Sequence, residues 1–241
     1  MKHGILLAAC LFCTSATPAG GVKIVRRSAA LEFTYFWPAQ AARVPAIDTM
    51  MRNSAQEAYG RALRSGLENQ QVYQEQQRAS IRDRYSMQWT VSGQSTRLLS
   101  LQNQLATFTG GAHSNTSFGA LLWDRRMNRE QRVPELFIHA SDFAKLARTA
   151  YCELLDAERF KRRGGEKLGG EFDQCPRFDD LAIAPVDRDS NGRFDGFDFV
   201  ASPYIAGPYA EGEYEILLPV TAKMVSSLKP GYRTSFETQR Q

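Results

Sequence analysis

Residues 98–123, LLSLQNQLATFTGGAHSNTSFGALLW, constrain the fold more tightly than any other stretch of the chain. Two apolar-rich runs, each long enough for a strand, flank Gly110-Gly111-Ala112-His113-Ser114-Asn115. Paired glycines supply backbone conformations that residues with a Cβ avoid, and Ser114 and Asn115 can hydrogen-bond to nearby backbone. The stretch reads as strand, sequence-specified turn, strand, and the neighbouring segments are organised around it.

Upstream, Tyr85, Met87, Trp89 and Val91 alternate with polar residues, and Ser92-Gly93-Gln94-Ser95 turns the chain into the strand near Arg97, predicting a hairpin. Residues 22–37 are rich in β-branched and aromatic side chains and predict a strand ending before Pro38. From Ala46 the period changes. Ile47, Met51, Ala55, Ala58 and Ala62 recur at helical steps behind Pro45, so an amphipathic helix is expected across the sheet, ended or weakened by Gly66. The Gln-, Glu- and Arg-rich residues 67–84 read as a helical extension or a loop.

Downstream, Phe143, Leu146, Ala147, Tyr151, Leu154 and Leu155 form one apolar stripe, the clearest helix in the chain. Arg159, Lys161, Arg162 and Arg163 gather at its C-terminal end, where they complement the helix dipole, and Gly164-Gly165 stops it. Three short strands are expected within 181–186, 193–201 and 213–220, then a short helix at 221–228 and a frayed polar tail over 231–241. Strands with a helix packed on them, then strands and a helix again, predict an α+β protein. It would have two small lobes of mainly antiparallel sheet, each packed against a helix.

Two ordered motifs carry a resemblance. FTGGAHSNT with the following strand, Trp123-Asp124, and Val133-Pro134-Glu135-Leu136-Phe137 resemble the YTGGAHGN…D…L-x-D-L-F run of an extracytoplasmic bacterial family. Its members are the paired RsiV-like and PdaC N-terminal-like modules of unknown function. Residues 203–212, PYIAGPYAEG, are similar to the family's Y-x-I-x-P-Y-A-A-G segment, and a strand follows as it does there. The resemblance implies a PdaC-like lobe over 20–110, an RsiV-like lobe over 111–230, and a non-catalytic role in a cell-wall context. RsiV-like proteins recognise lysozyme and PdaC-like ones work on peptidoglycan. Neither the deacetylase domain of PdaC nor the sigma-binding part of RsiV has a counterpart in this sequence.

A short positive start and the apolar run 5–12, closing on small residues near Ala16 and Ala19, read as a signal peptide over 1–19. Leu7-Ala8-Ala9-Cys10 also resembles a lipobox, so soluble export is expected, with a lipid on Cys10 as the alternative and the sole membrane attachment. That leaves Cys152 and Cys175, which in an oxidising compartment predict one disulfide. The formal charge of +4 is modest for 241 residues and the basic residues are scattered apart from 161–163, which argues against a nucleic-acid partner.

Three constellations bear on chemistry. Asp187, Asp189, Asn191, Asp195 and Asp198 fall at positions one, three, five, nine and twelve of an EF-hand-like calcium loop, with Gly192 at position six. Position twelve is an aspartate in place of the usual glutamate, and the flanks read as strands, so the alternative is a polar turn joining two strands. His113 in the glycine turn invites a general-base reading, oriented by Asp124 or by a carboxylate brought in from elsewhere; the other reading is that its imidazole fixes the turn. Tyr204 and Tyr209, interleaved with prolines and small residues, offer a rigid aromatic surface or a loop that covers the sheet.

The leading expectation is an exported, non-enzymatic envelope module that needs no cofactor. It would bind lysozyme or peptidoglycan through Gly110, Gly111, His113, Asn115, Tyr204 and Tyr209. An envelope-polymer hydrolase using His113, and a calcium-stabilised structural protein, are the rivals.

Overall fold

The computed structural model describes residues 20–238. The expected signal peptide, with Cys10, lies outside the described residues.

Strands β1 (Val22–Arg27) and β2 (Leu31–Trp37) form an antiparallel hairpin. In β2 the odd positions Leu31, Phe33, Tyr35 and Trp37 are all buried, as period-two alternation requires of a strand with one face on a core. A short helix, α1 (Ala39–Ala42), leads into α2 (Pro45–Glu75), and α2 lays Ile47, Met51, Ala55 and Ala58 on that face. β3 (Asp83–Gln94) then pairs with β2 in parallel. A parallel pair needs a crossover, and α2 provides it. β4 (Leu98–Phe108), β5 (Asn115–Asp124) and β6 (Arg129–Gln131) continue antiparallel, giving a six-stranded mixed sheet in sequence order.

Helix α2 does not end at Gly66; it runs on to Glu75, so residues 67–75 are the helical extension and not a loop. A Cβ on Gly66 would lie 2.8 Å from the carbonyl oxygen of Ala30. The glycine is therefore there to let the helix approach the β1–β2 connection, at the usual helix cost of about 1 kcal/mol relative to alanine.

The second half follows the same logic with fewer strands. Helix α3 (Ser141–Arg162) buries Phe143, Ala147, Tyr151 and Leu155 against a three-stranded antiparallel sheet of β7 (Ala182–Val186), β8 (Gly196–Ala201) and β9 (Tyr214–Pro219). Phe143 sits 5.2 Å from Phe197 and 6.0 Å from Phe199, ring centre to ring centre. The terminal helix α4 (Ala222–Ser227) is capped by Thr221, whose Oγ1 accepts from the Met224 N–H at 3.2 Å.

The α+β class and the pairing of each sheet with a helix match expectation. The glycine turn at 110–115 joins β4 to β5, neighbours within the six-stranded sheet, and the sheet continues through β6. The stretch after Pro230, expected to fray, instead packs: Tyr232, Ser235 and Phe236 are buried, and the Phe194 N–H donates to the Ser235 carbonyl at 2.8 Å. Two aromatic residues account for the difference: the Tyr232 hydroxyl donates to Asp124 Oδ2 at 3.0 Å, and Phe236 fits against Phe194 and Phe197, with ring centres 5.2 and 5.7 Å away.

The two sheets meet where β7 and β8 cross β3, β4 and β5. The Asp187 N–H donates to the Ser92 carbonyl at 3.1 Å, Gln102 Nε2 donates to Asp198 Oδ2 at 2.7 Å, and the Phe118 N–H donates to Ser202 Oγ at 3.0 Å. No helix among the described residues is long and apolar enough to cross a membrane.

Candidate functional site

The basic end of α3 does more than complement a dipole. Arg159, 3% exposed, donates from Nε to the Ala206 carbonyl at 3.0 Å and from Nη2 to the Gln174 carbonyl at 2.9 Å. Arg163 forms a fork on Glu211, Nε to Oε1 at 2.8 Å and Nη2 to Oε2 at 2.9 Å, and reaches Asp173 Oδ1 at 2.6 Å. Arg162 donates to the carbonyls of Glu211 and Glu213 at 2.8 and 2.7 Å. Three arginines on the last turn and C-cap of α3 thus grip the 203–212 loop, and the bidentate geometry is one that lysine cannot reproduce. Arg163 beside it holds the Glu211 carboxyl below the usual carboxylate range, and the Tyr214 hydroxyl also donates to Glu211. The Cys152–Cys175 disulfide, as expected, ties α3 to the segment that carries Asp173 and Gln174.

So held, the loop presents its aromatics outward. Tyr204 has φ +72°, a left-handed conformation uncommon for a residue with a side chain, and its N–H donates to the Gly207 carbonyl at 3.0 Å. Its side chain is 56% exposed. Backbone held in a sparsely populated region beside an exposed aromatic is a feature that clusters at binding sites. The Tyr204 and Tyr209 ring centres are 5.8 Å apart.

The glycine turn meets this loop. The imidazole of His113 stacks on the Tyr209 ring, centroids 3.7 Å apart and 18° from parallel, and the Tyr209 hydroxyl donates to the Ser114 carbonyl. His113 Nδ1 lies 3.2 Å from the same carbonyl. A carbonyl only accepts, so this contact is a hydrogen bond when Nδ1 carries the proton, which leaves Nε2 as the outward acceptor. Gly110 is the hinge: its φ is +88°, and a Cβ there would fall 2.0 Å from Tyr73 Oη on the last turns of α2. Gly111 has open space around it, with nothing nearer than 4.0 Å. Asn115 opens β5 opposite Thr107 and is exposed.

The structure therefore brings His113, Tyr204 and Tyr209 together, with Gly110 in the turn that carries His113. It does not bring Asp124 to His113. Asp124 lies at the far end of β5, fully buried, accepting from Arg97 Nε at 2.9 Å, the Tyr232 hydroxyl at 3.0 Å and the N–H groups of Arg126 and Met127.

Nor does it gather the five residues of the calcium-like loop. Asp187 accepts from the N–H groups of Asn191 and Gly192 at 3.1 and 2.9 Å, and Asp189 Oδ2 accepts from Asn191 Nδ2 at 2.9 Å. Asp195 is paired with Arg188 at 2.7 Å, and Asp198 points into the junction of the sheets toward Gln102. Among the described residues no group of three or more His, Cys, Asp or Glu side chains is arranged to hold a metal ion. The segment joins β7 to β8, and its Asp187, Asp189 and Asn191 side chains hydrogen-bond within it. The role of the basic residues at 159–163 was the feature that pattern reading missed. A signal existed only in retrospect, in Glu211, the one acidic residue of the 203–212 loop that faces them.

No protein-family model matches the chain. No curated protein matches it either. Solved structures do. A DUF3298 family protein from Pseudomonas aeruginosa PAO1 is similar with a TM-score of 0.58 and 16% identity, over 92% of this chain and 98% of that one. A member of the same family from Bacteroides fragilis NCTC 9343 is similar with a TM-score of 0.54 and 15% identity, over 90% of this chain and 95% of that one. At these identities the likeness is one of fold, and the chain has the fold of the DUF3298 proteins, the RsiV- and PdaC-type domains of unknown function.

Proposed function

We propose that this chain is an exported, non-catalytic cell-envelope module that binds a cell-wall ligand on the surface formed by His113, Tyr204 and Tyr209. One observation carries the reading: two segments 95 residues apart in sequence meet as a stacked imidazole and phenol beside an exposed tyrosine. Rigid aromatic rings offer a large apolar face and polar edges at little cost in side-chain entropy, which suits recognition. The imidazole is stacked on Tyr209 at an exposed position, and Asp124, the carboxylate that would orient it as a base, lies at the other end of β5, which supports a binding role. The disulfide is consistent with an oxidising, exported environment.

Three rings make a platform of the size of a sugar residue or two, well short of the area of roughly 800 Å² per partner typical of a stable protein complex. Peptidoglycan is therefore the leading ligand, and a lysozyme-type protein, the ligand of RsiV-like relatives, is the alternative. Co-sedimentation with purified peptidoglycan, run beside a pull-down on immobilised lysozyme, tests the choice. Retention by peptidoglycan alone supports the leading reading, retention by lysozyme alone shifts it to the alternative, and retention by neither rejects the envelope-ligand proposal.

A further inference from the structure

A second polar feature lies away from the aromatic surface, at the junction of the two sheets. Phe197 and Phe199 of β8 face α3, so the residue between them, Asp198, faces the opposite way, toward β4. It is 5% exposed. Its Oδ2 accepts from Gln102 Nε2 at 2.7 Å, and Gln102 Oε1 in turn accepts from Ser92 Oγ at 2.8 Å, so the amide is oriented from both sides. Asp198 Oδ1 has no partner. A buried carboxylate oxygen without a donor is costly, and such groups in native proteins call for an explanation.

Asp198 lines a cavity of about 210 Å³ between the sheets. The charged groups around it are of one sign. Glu215 on β9 is the other ionisable residue of the wall; β3 contributes Gln88 and Thr90, β4 contributes neutral amides, and β5 and β7 contribute Phe118, Gly119 and Ala182. The same three residues of β5 and β7 also line an open groove of about 590 Å³, whose rim carries Glu130, Asp179 and Asp180, with Arg132 already paired to Asp179 at 3.2 Å. The cavity thus holds two carboxylates and no basic side chain, and it shares its Phe118, Gly119 and Ala182 wall with a groove rimmed by further carboxylates.

We propose that this cavity is a second binding site, independent of the aromatic surface, that takes the primary ammonium group of an alkylamine, as carried by a free diamine or by a lysine side chain. The ammonium supplies the missing donor to Asp198 and the missing positive charge between Asp198 and Glu215. The neutral amides and Thr90 satisfy its remaining N–H groups, while the alkyl stem lies along Phe118, Gly119 and Ala182 toward the groove. A lone metal ion fits less well, because the wall offers two carboxylates from different strands and few further anionic oxygens.

Calorimetric titration of the full chain with cadaverine and, separately, with N-acetyl-lysine methylamide tests the site and distinguishes its two sources of amine; 1-pentanol is the uncharged control. Saturable binding of either amine at pH 7.5, with none of 1-pentanol, is expected. An alkylammonium keeps its charge across this range, whereas Asp198 titrates at about 6, so binding weakens roughly tenfold at pH 5. Asp198→Asn abolishes binding, Glu215→Gln on the exposed face of β9 weakens it severalfold, and Tyr204→Ala leaves it unchanged. Absence of saturable amine binding at pH 7.5 overturns the proposal, as does wild-type affinity in a folded Asp198→Asn protein. Should Asp198→Asn fail to fold, Glu215→Gln decides: wild-type affinity there overturns the site.

Discussion

The imidazole of His113 lies face to face with the phenol of Tyr209, 3.7 Å between centroids, and this single stack joins the glycine turn of one sheet to the loop that leads into the last strand of the other. Each partner is held from behind by a different device. His113 rides on a turn shaped by Gly110 against Tyr73, and Tyr209 sits in a loop clamped by Arg159, Arg162 and Arg163. The surface is therefore preorganised, and ligand binding need not pay to order it.

The two glycines of the turn should separate cleanly. Gly110→Ala forces a Cβ into Tyr73 Oη at a backbone φ of +88°, and is expected to destabilise the protein by about 2 kcal/mol or more. Gly111→Ala meets open space and should stay within about 0.5 kcal/mol of wild type. Urea unfolding of the two variants checks this; equal effects would show that the turn is shaped by something other than the approach of Tyr73.

Arg163→Ala removes the fork on Glu211 and leaves that carboxylate, with a side chain 15% exposed, with the Tyr214 hydroxyl and the neighbouring charge of Arg162. Breaking a pair this buried should cost about 3 kcal/mol. Glu211 is held below its ordinary value, so the stabilisation is present above the unfolded carboxylate pKa of about 4.3 and is lost as pH falls through the folded value. Melting curves from pH 7 down to pH 3 should show that acid loss in wild type and a flatter profile in Arg163→Ala. Arg163→Lys, which keeps the charge without the fork, should fall between.

How far these features were legible in the sequence depended on where their partners lay. The alternation of Tyr85, Met87 and Trp89, and the stripe through Phe143, Tyr151 and Leu155, report on a single element and its buried face, and both elements are where periodicity puts them. Gly66 misleads because its reason is the Ala30 carbonyl, outside the helix altogether. The basic run at 159–163 misleads for the same reason: Ala206 and Glu211 are 47 and 48 residues away from the arginines they meet. Phe236 was hidden among polar neighbours, and its packing site on Phe194 exists only once β8 is in place. The tyrosines and His113 were visible as candidates, but their meeting is a tertiary fact. Asp198 looked like the last ligand of a calcium loop, because a carboxylate inside a strand buried on both faces looks in sequence like any other loop-edge aspartate.

Asp198 also sets a pH dependence of opposite sign to Glu211. Burial pushes its carboxyl up to about 6 from an ordinary value of 3.8, so its contribution is favourable in acid and is lost as pH rises through about 6. Asp198→Asn should remove that loss and gain on the order of 2 kcal/mol at pH 8, with little change at pH 4. Denaturant midpoints at the two pH values test it; parallel shifts at both would show that Asp198 is not titrating in this window.

Soluble peptidoglycan fragments titrated into the wild-type chain and into Tyr204→Ala test the central claim most directly. Tyr204 is exposed and outside the hydrophobic core, so its truncation should leave the melting temperature close to wild type. The predicted result is measurable binding by wild type, weakened at least about tenfold in Tyr204→Ala, in line with loss of one aromatic anchor. Equal affinity for the two folded proteins, or no binding by wild type, would contradict the account.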